Sequence, residues 1–181
     1  GAGVDRMITV GIDPQDGRRA LDLTERFDGV YSTVGVHPHY AGRWTDRSVV
    51  VDAMSELTAL PRVVACGEMG IDTHYDDPPL SAQVRVLGWQ LEWASERSSL
   101  PLIIHSRQST TQLLERLRSS GIGANRFVFH CFTGDDRELD AVLALGAMVS
   151  FTGIVTFKNA RSLAAGAARV PIDRLMIETD S

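Results

Sequence analysis

Short apolar runs alternate along the chain with stretches in which apolar residues are spaced as on a helix. The apolar runs are rich in β-branched and aromatic residues and cover residues 7–12, 31–36, 62–67, 102–106, 127–132, 147–154 and 175–179. Runs of this length and composition predict strands rather than helices. The pattern therefore predicts seven β-strands.

Three of the intervening stretches carry helix signals. Residues 80–98 predict a helix because apolar side chains recur at helical spacing, namely Val84, Leu87, Leu91 and Ala94. Ser109 and Gln112 form a capping-box pattern that predicts the start of another helix. Asp135 or Asp136 predicts the cap of a third, with Gly146 as its C-terminal stop. Strands and helices thus alternate.

Alternation of strands and helices predicts parallel strands joined by right-handed crossovers, which both barrels and open sheets satisfy. The strands tend to end in polar residues, as in barrels whose active sites lie at the C-terminal strand ends. No Gly-x-Gly-x-x-Gly or Walker loop follows the first strand. We predict an α/β fold of the (β/α)8 TIM-barrel type. An open seven-stranded sheet is the alternative, disfavoured because its last strand would end abruptly and uncovered.

Seven strands are one short of a closed barrel. Residues 1–6 resemble the end of a helix, and the sequence stops directly after its last predicted strand. We therefore expect residues 1–181 to form a single, incomplete TIM-barrel metallohydrolase domain, with the first strand and the C-terminal helix missing from this chain.

Composition and charge limit the cellular compartment and the classes of partner that the sequence predicts. With 181 residues, 44% of them hydrophobic, the chain can bury one sizeable core. It has no long apolar run and no secretory signal pattern, and its two cysteines lie within strand-like runs, which together predict a cytoplasmic protein without a membrane partner. The net charge of −5 argues against a long nucleic-acid surface but is compatible with a small, cation-bearing site for a phosphate substrate.

Four predicted strand ends offer metal ligands: Glu68, His105, His130 and Asp180. Residues at equivalent C-terminal ends of parallel strands converge, so these four are expected at one barrel mouth. A single buried histidine is more often a core residue than a ligand, but four such residues on separate strands favour a metal site. Imidazole and carboxylate together suit Zn²⁺, Mn²⁺ or Mg²⁺.

The chain resembles the TatD family of metal-dependent hydrolases, often described as deoxyribonucleases of the amidohydrolase-like barrels. The matching motifs run in family order along nearly the whole chain: GVHPH at 35–39, GEMGID at 67–72, IHSR at 104–107, HCFTG at 130–134, SFTG at 150–153, TFKNA at 156–160 and ETDS at 178–181.

The resemblance implies two divalent metal ions and a role for each ligand. Glu68 would bridge the ions, His105 and His130 would bind one of them, and Asp180 would bind a metal while orienting or deprotonating the attacking water. Arg107 and Lys158 would contact substrate phosphates, unless they are solvated surface charges. Family members normally carry Asp-x-His-x-His on a first strand. Its absence predicts either an omitted N-terminal part or a catalytically crippled chain.

His37-Pro38-His39 invites a metal-binding interpretation, because residues two apart on a strand face the same side. Pro38 donates no backbone hydrogen bond and marks the end of the strand, so the two rings need not stay parallel. The resemblance also places the family's histidine pair on an earlier strand. We predict that His37 contacts a substrate phosphate at the rim and that His39 is a loop residue. Cys66 and Cys131 are not expected to act as nucleophiles.

Three functions remain open at this stage. The leading one is a metal-dependent deoxyribonuclease of the 3′–5′ exonuclease type, with DNA strand ends as its substrate. The second is an amide or ester hydrolase of the same barrel family, such as an aminoacyl-tRNA deacylase. The third is an inactive, truncated barrel with a binding or structural role. None of them requires an obligate protein partner.

Overall fold

The computed structural model describes residues 3–180, so positions 1, 2 and 181 of the predicted helix end and the last motif lie outside the described residues. Seven strands occur at the predicted places: β1 (Met7–Thr9), β2 (Val30–Val34), β3 (Val63–Asp72), β4 (Leu102–Arg107), β5 (Phe127–Phe129), β6 (Met148–Phe151) and β7 (Leu175–Ile177). They form one sheet whose spatial order is the chain order, and every pairing is parallel.

Six α-helices connect the strands: α1 (Pro14–Arg26), α2 (Arg47–Thr58), α3 (Leu80–Arg97), α4 (Thr110–Ser119), α5 (Asp136–Leu145) and α6 (Arg161–Arg169). Short 3₁₀ helices cover Pro38–Arg43, Ala124–Arg126, Gly153–Thr156 and Ile172–Arg174. The sheet is curled, and between residues 3 and 180 no pairing joins β1 to β7. Because all strands are parallel, their C-terminal ends meet along one edge of this half-barrel.

The core lies between the sheet and the helices that cover it. Phe127, Phe129, Met69, Ile104 and Leu113 are among its fully buried side chains. Burial on both faces explains why the strands appear as continuous apolar runs instead of alternating ones. The described residues contain no helix with the length and apolarity that crossing a membrane requires.

The third strand is longer than its apolar run predicts. β3 continues through ten residues to Asp72, and nearly all of them are buried. Gly70 has φ +158°, and a Cβ atom there would lie 1.9 Å from the carbonyl oxygen of His105. Glycine is therefore required where β3 approaches β4. This extension carries the acidic side chains of β3 to the C-terminal edge of the sheet.

Two predicted helix starts differ in whether a side chain caps the helix. Asp135 accepts a hydrogen bond from the Glu138 amide at 2.8 Å and Glu138 accepts one from the Asp135 amide at 3.0 Å, which confirms a cap for α5. Ser109 does precede α4, but the predicted capping box is wrong. Its hydroxyl donates to the Ile71 carbonyl at 2.6 Å, a contact between sequence-distant residues that replaces the local cap.

Candidate metal centre

A buried carboxylate lies at the centre of a group of histidines at the C-terminal strand ends. Glu68 Oε1 is 2.7 Å from His105 Nδ1, 2.6 Å from His130 Nε2 and 3.4 Å from His37 Nε2. Three imidazoles from different strand ends therefore converge on one oxygen atom. Of the four residues predicted to meet at the barrel mouth, Glu68, His105 and His130 are brought together.

Strand register places these side chains. His105 on β4 is paired with Gly70 on β3, which lies two residues beyond Glu68. His130 follows β5 directly, and its amide donates to the Ile104 carbonyl at 3.1 Å. Adjacent parallel strands thus present their terminal side chains at the same height above the sheet.

A second carboxylate shares His105 with the first. Asp72 Oδ2 is 2.8 Å from His39 Nε2 and 3.1 Å from His105 Nε2. The two ring nitrogens of His105 therefore face different carboxylates. Neither Asp72 nor His39 was among the predicted site residues. The available signals were that Asp72 is four residues after Glu68 in one strand, hence on the same side, and that His39 is two residues after His37.

His37 lies inside this group, with 9% of its surface exposed. Its Nδ1 accepts a hydrogen bond from the His39 amide at 3.1 Å, because Pro38 starts the 3₁₀ helix there. That bond turns Nε2 toward Glu68 and His105, 3.2 Å from His105 Nδ1. Burial lowers the pKa of His37, more than the nearby Glu68 raises it. His39 belongs to the same 3₁₀ helix, where the sequence predicted a loop.

Asp180 has a different neighbour from Glu68. It is exposed, with φ +51°, and its carboxylate interacts with the Cys131 thiol. Burial and that carboxylate raise the pKa of Cys131 to about 12, which agrees with the prediction that this thiol is not a nucleophile. The two groups of potential ion ligands found among residues 3–180 do not include Asp180.

Glu178, two residues before Asp180, reaches the histidine group instead. Its Oε2 is 3.1 Å from His130 Nδ1, and its Oε1 accepts hydrogen bonds from the Cys131 amide at 2.6 Å and from the Ser150 hydroxyl. Glu178 thereby joins the ends of β5, β6 and β7. Glu178 is part of the ETDS motif, but the sequence predicted no role for it.

The remaining two predicted residues lie at the rim. Arg107 ends β4 with an exposed side chain, and its guanidinium carbon is 5.3 Å from the centre of the Tyr75 ring. Lys158 is exposed in the segment between β6 and α6. Both positions are compatible with contacts to a substrate phosphate, and neither side chain enters the Glu68 group.

The electrostatics of the centre follow from its burial and its pairings. Burial would raise the pKa of Glu68, but hydrogen bonds from His105, His130 and His37 outweigh it and hold that pKa far below its usual range. Burial would lower the pKa of His130, whereas Glu178 and Glu68 raise it to about 10. Hydrogen bonds likewise lower the pKa of Asp72 against the effect of burial. The carboxylates are therefore ionised at neutral pH.

These residues fit a divalent cation. The potential ligand atoms of His37, Glu68 and His105 all lie within 4.8 Å of one another, and so do those of His39, Asp72 and His105. Each group combines imidazole nitrogen with carboxylate oxygen, the ligand types that Zn²⁺ and Mn²⁺ take in proteins. Buried carboxylates and imidazoles at the C-terminal ends of a curled parallel sheet are the arrangement expected of a metal-dependent hydrolase of the barrel type.

Comparison with known proteins gives the family. Residues 1–181 match the family described as TatD related DNase, and the chain belongs to this family. It is 37% identical over 177 residues to the uncharacterized metal-dependent hydrolase YabD of Bacillus subtilis, covering 98% of this chain and 68% of that protein. It is 35% identical to the 3′-5′ ssDNA/RNA exonuclease TatD of Pectobacterium carotovorum, covering 99% of this chain and 69% of the relative.

Solved structures agree on the fold. YjjV, a TatD homologue from Escherichia coli K12, superposes with a TM-score of 0.89 at 29% identity, covering 99% of this chain and 68% of that one. The phosphotriesterase homology protein of Escherichia coli shares the fold alone, with a TM-score of 0.63 at 18% identity. The predicted family and TIM-barrel fold class are confirmed. The family assignment makes the chain a metal-dependent hydrolase that acts on ester bonds.

Proposed function

We propose that this chain provides the catalytic strand ends of a 3′–5′ exonuclease that hydrolyses phosphodiester bonds at DNA strand ends. The observation that carries the proposal is the convergence of three imidazoles on Glu68 Oε1, with Asp72 and His39 beside them. The relative from Pectobacterium, named as an exonuclease on single-stranded DNA and RNA, supports this substrate class.

Two overlapping ligand groups support a centre of two divalent ions. Glu68, His105 and His130 would hold one ion, with His37 beside them, and Asp72 and His39 would contribute to a second. Such ions supply Lewis acidity toward a phosphate and make a water more acidic. His130 lies between Glu68 and Glu178, and these two contacts orient its ring.

Asp180 is proposed as the acceptor of the proton from the attacking water. Asp180 is exposed and comes two residues after Glu178, whose Oε2 contacts His130. A general base must lie within hydrogen-bond reach of the water whose proton it accepts. The role as a metal ligand that the resemblance implies is proposed as well, and the experiments below separate the two roles.

The rim offers contacts for one end of a strand. Arg107 provides a cation for a phosphate, and the half-exposed ring of Tyr75 lies 5.3 Å from the ring of His39, close to the site. Exposed aromatic rings next to arginine are typical of single-strand binding, because bases stack on them irrespective of sequence. Lys158 would contact a second phosphate. So few phosphate contacts are compatible with a net charge of −5.

We also propose that the protein acts in the cytoplasm. Residues 1–181 are proposed to form a single domain that needs no obligate protein partner. Both cysteines are free, which supports the first of these proposals.

The test uses the purified protein with Mg²⁺ or Mn²⁺ and oligonucleotides labelled at the 5′ end, so that trimming from the 3′ end gives a ladder of shortened products. Glu68→Gln should abolish the ladder and Asp180→Asn should slow its appearance by roughly 10²–10⁴-fold, whereas Glu56→Gln on the outer surface should leave it unchanged. A wild-type protein that leaves DNA intact but hydrolyses acyl-tRNA or an amide panel would overturn the nuclease proposal in favour of a deacylase. Divalent-ion binding without any turnover would favour a binding role.

A further inference from the structure

Helix α3 carries two glutamines that are buried although glutamine is usually exposed. Gln83 is 2% exposed and Gln90 is 0% exposed. They are seven residues apart, which is about two helical turns, so both side chains leave the same face of the helix. That face packs on the sheet, where β2 and β3 end.

Each glutamine pairs with both backbone groups of one residue. The amide of Val36 donates to Gln90 Oε1 at 2.7 Å, and Gln90 Nε2 donates to the Val36 carbonyl at 3.1 Å. The amide of Asp72 donates to Gln83 Oε1 at 2.8 Å, and Gln83 Nε2 donates to the Asp72 carbonyl at 2.9 Å. A glutamine side chain offers the donor and acceptor of a peptide group, so each one replaces a neighbouring strand.

The two backbone positions are those that hold the site. Val36 directly precedes His37, and Asp72 is itself one of the two carboxylates. Strand pairing does not reach Val36, since the register of β2 with β3 ends at Val34 and Cys66. Buried peptide groups without a partner are costly, so an amide side chain at this point fixes the path of the chain. Gln83 Nε2 also donates to the Pro78 carbonyl at 2.9 Å and so secures the segment leading into α3.

We propose that Gln83 and Gln90 are positioning residues for the metal centre. Through them, α3 acts as a rigid spacer that sets His37 against Glu68 and holds Asp72 within reach of His39 and His105. One helix thereby fixes the relative placement of both carboxylate–imidazole groups. The link to activity rests on the proposed function, whereas the link to ring geometry and ion binding does not.

Replacement by methionine tests this role. Gln90→Met and Gln83→Met keep the length and buried volume of the side chain, while they remove the two hydrogen bonds of Gln90 and the three of Gln83. Leu117→Ala is the matched control, because Leu117 is equally buried but lies on α4. Gln112→Met, on the exposed face of α4, controls for the substitution itself.

The measurements are the ring nitrogen NMR signals of the histidines, the affinity for Mn²⁺ by calorimetry, and the thermal midpoint. Gln90→Met should shift the His37 signals, and Gln83→Met those of His39. Each should weaken Mn²⁺ binding about 10–100-fold, the usual effect of losing a group that orients a ligand. Leu117→Ala should lower the thermal midpoint and leave the ring signals and the affinity near their wild-type values.

Unchanged ring signals and Mn²⁺ affinity in both methionine variants would overturn the proposal. The proposal would also fail if Leu117→Ala changed the histidine ring signals and the Mn²⁺ affinity as much as the methionine variants do, because the glutamines would then contribute stability only. If a methionine variant does not fold, the corresponding asparagine variant, whose amide is one carbon shorter and cannot span both backbone groups, takes its place. Absence of nuclease activity in the wild type would refute the proposed function and leave these readouts decisive.

Discussion

The middle of the sheet and its last pair of strands present carboxylates at the same edge in different surroundings. β3 is ten residues long, pairs with strands on both sides and is buried almost throughout. β7 has three residues, and Ile177 is 86% exposed. Glu68 and Asp72, on β3, each contact at least two histidines. Asp180, beyond β7, is exposed beside Cys131.

The difference shows that a strand end is not enough to place a ligand. Where two neighbouring strands and a covering helix fix the backbone, both carboxylates of β3 enter the site. β3 has these supports, with β2 and β4 beside it and Gln83 at its end. β7, which is paired with β6, contributes Glu178 to the histidine group and leaves Asp180 exposed. Substitutions in both regions test this contrast.

The largest effect is expected at Glu68. Glu68→Gln removes the charge that three imidazoles share and should abolish both hydrolysis and tight Mn²⁺ binding. Breaking a buried charged group in this way should also lower the free energy of unfolding by about 3–5 kcal/mol. Glu178→Gln, the same change in the β7 region, should cost less Mn²⁺ affinity because the contacts of Glu68 with His37 and His105 persist. Equal losses of Mn²⁺ affinity in the two variants would erase the contrast.

Asp180→Asn separates two roles. If Asp180 acts on the attacking water, hydrolysis should fall by roughly 10²–10⁴-fold, the usual contribution of general base catalysis. Because neither ligand group includes Asp180, Mn²⁺ affinity should fall less than it does in Glu68→Gln. Single-turnover rates and calorimetry on the same samples check this. A parallel fall of rate and affinity would instead make Asp180 an ion ligand and bring the β7 region into the centre.

A glycine pair compares the backbones of the two regions. A Cβ at Gly70 would collide with the His105 carbonyl, whereas at Gly153, after β6, it would meet nothing within 4 Å. Gly70→Ala should therefore destabilise the protein by about 2–4 kcal/mol, and Gly153→Ala should remain within about 0.5 kcal/mol of wild type. Urea unfolding of both variants measures the difference. A Gly70→Ala protein of normal stability would show that β3 and β4 can separate without penalty.

The smallest effect concerns the rim. Arg107→Ala should raise the KM for an oligonucleotide about 10-fold, as expected for one charge-assisted hydrogen bond to a phosphate. Lys158→Ala in the β6 region should raise it less, since a lysine is a flexible point charge without the planar fork of arginine. Steady-state kinetics at two salt concentrations would show the lost contact as a weaker salt dependence. A larger effect at Lys158 would place the substrate over the other half of the sheet.

Much of the fold was predictable because short apolar runs separated by helical spacing have few alternatives. The strand ends were less predictable. β1 stops at Thr9 rather than residue 12, where the Gly11 amide turns to the Thr33 hydroxyl at 3.2 Å, and β3 runs five residues past its apolar run. Both differences arise from contacts between residues distant in sequence, which a local pattern does not contain.

The site was predictable to the level of which strand ends meet. The convergence of Glu68, His105 and His130 follows from parallel topology alone. The inward orientation of His37 depends on one hydrogen bond, from the His39 amide to Nδ1, and the inclusion of Asp72 depends on its two histidine neighbours. The sequence motifs include these residues, but only the packed structure shows which atoms their side chains face.

The order of the strands has a consequence for synthesis of the protein. Since each strand pairs with the one before it in the chain, every strand can add to a sheet that has already formed. Residues 37–130 contain both ligand groups and α3 with its glutamines, so the ribosome completes this part before it makes Glu178 and Asp180. The proposed ion ligands are therefore synthesised before the carboxylate that is proposed to act on the attacking water.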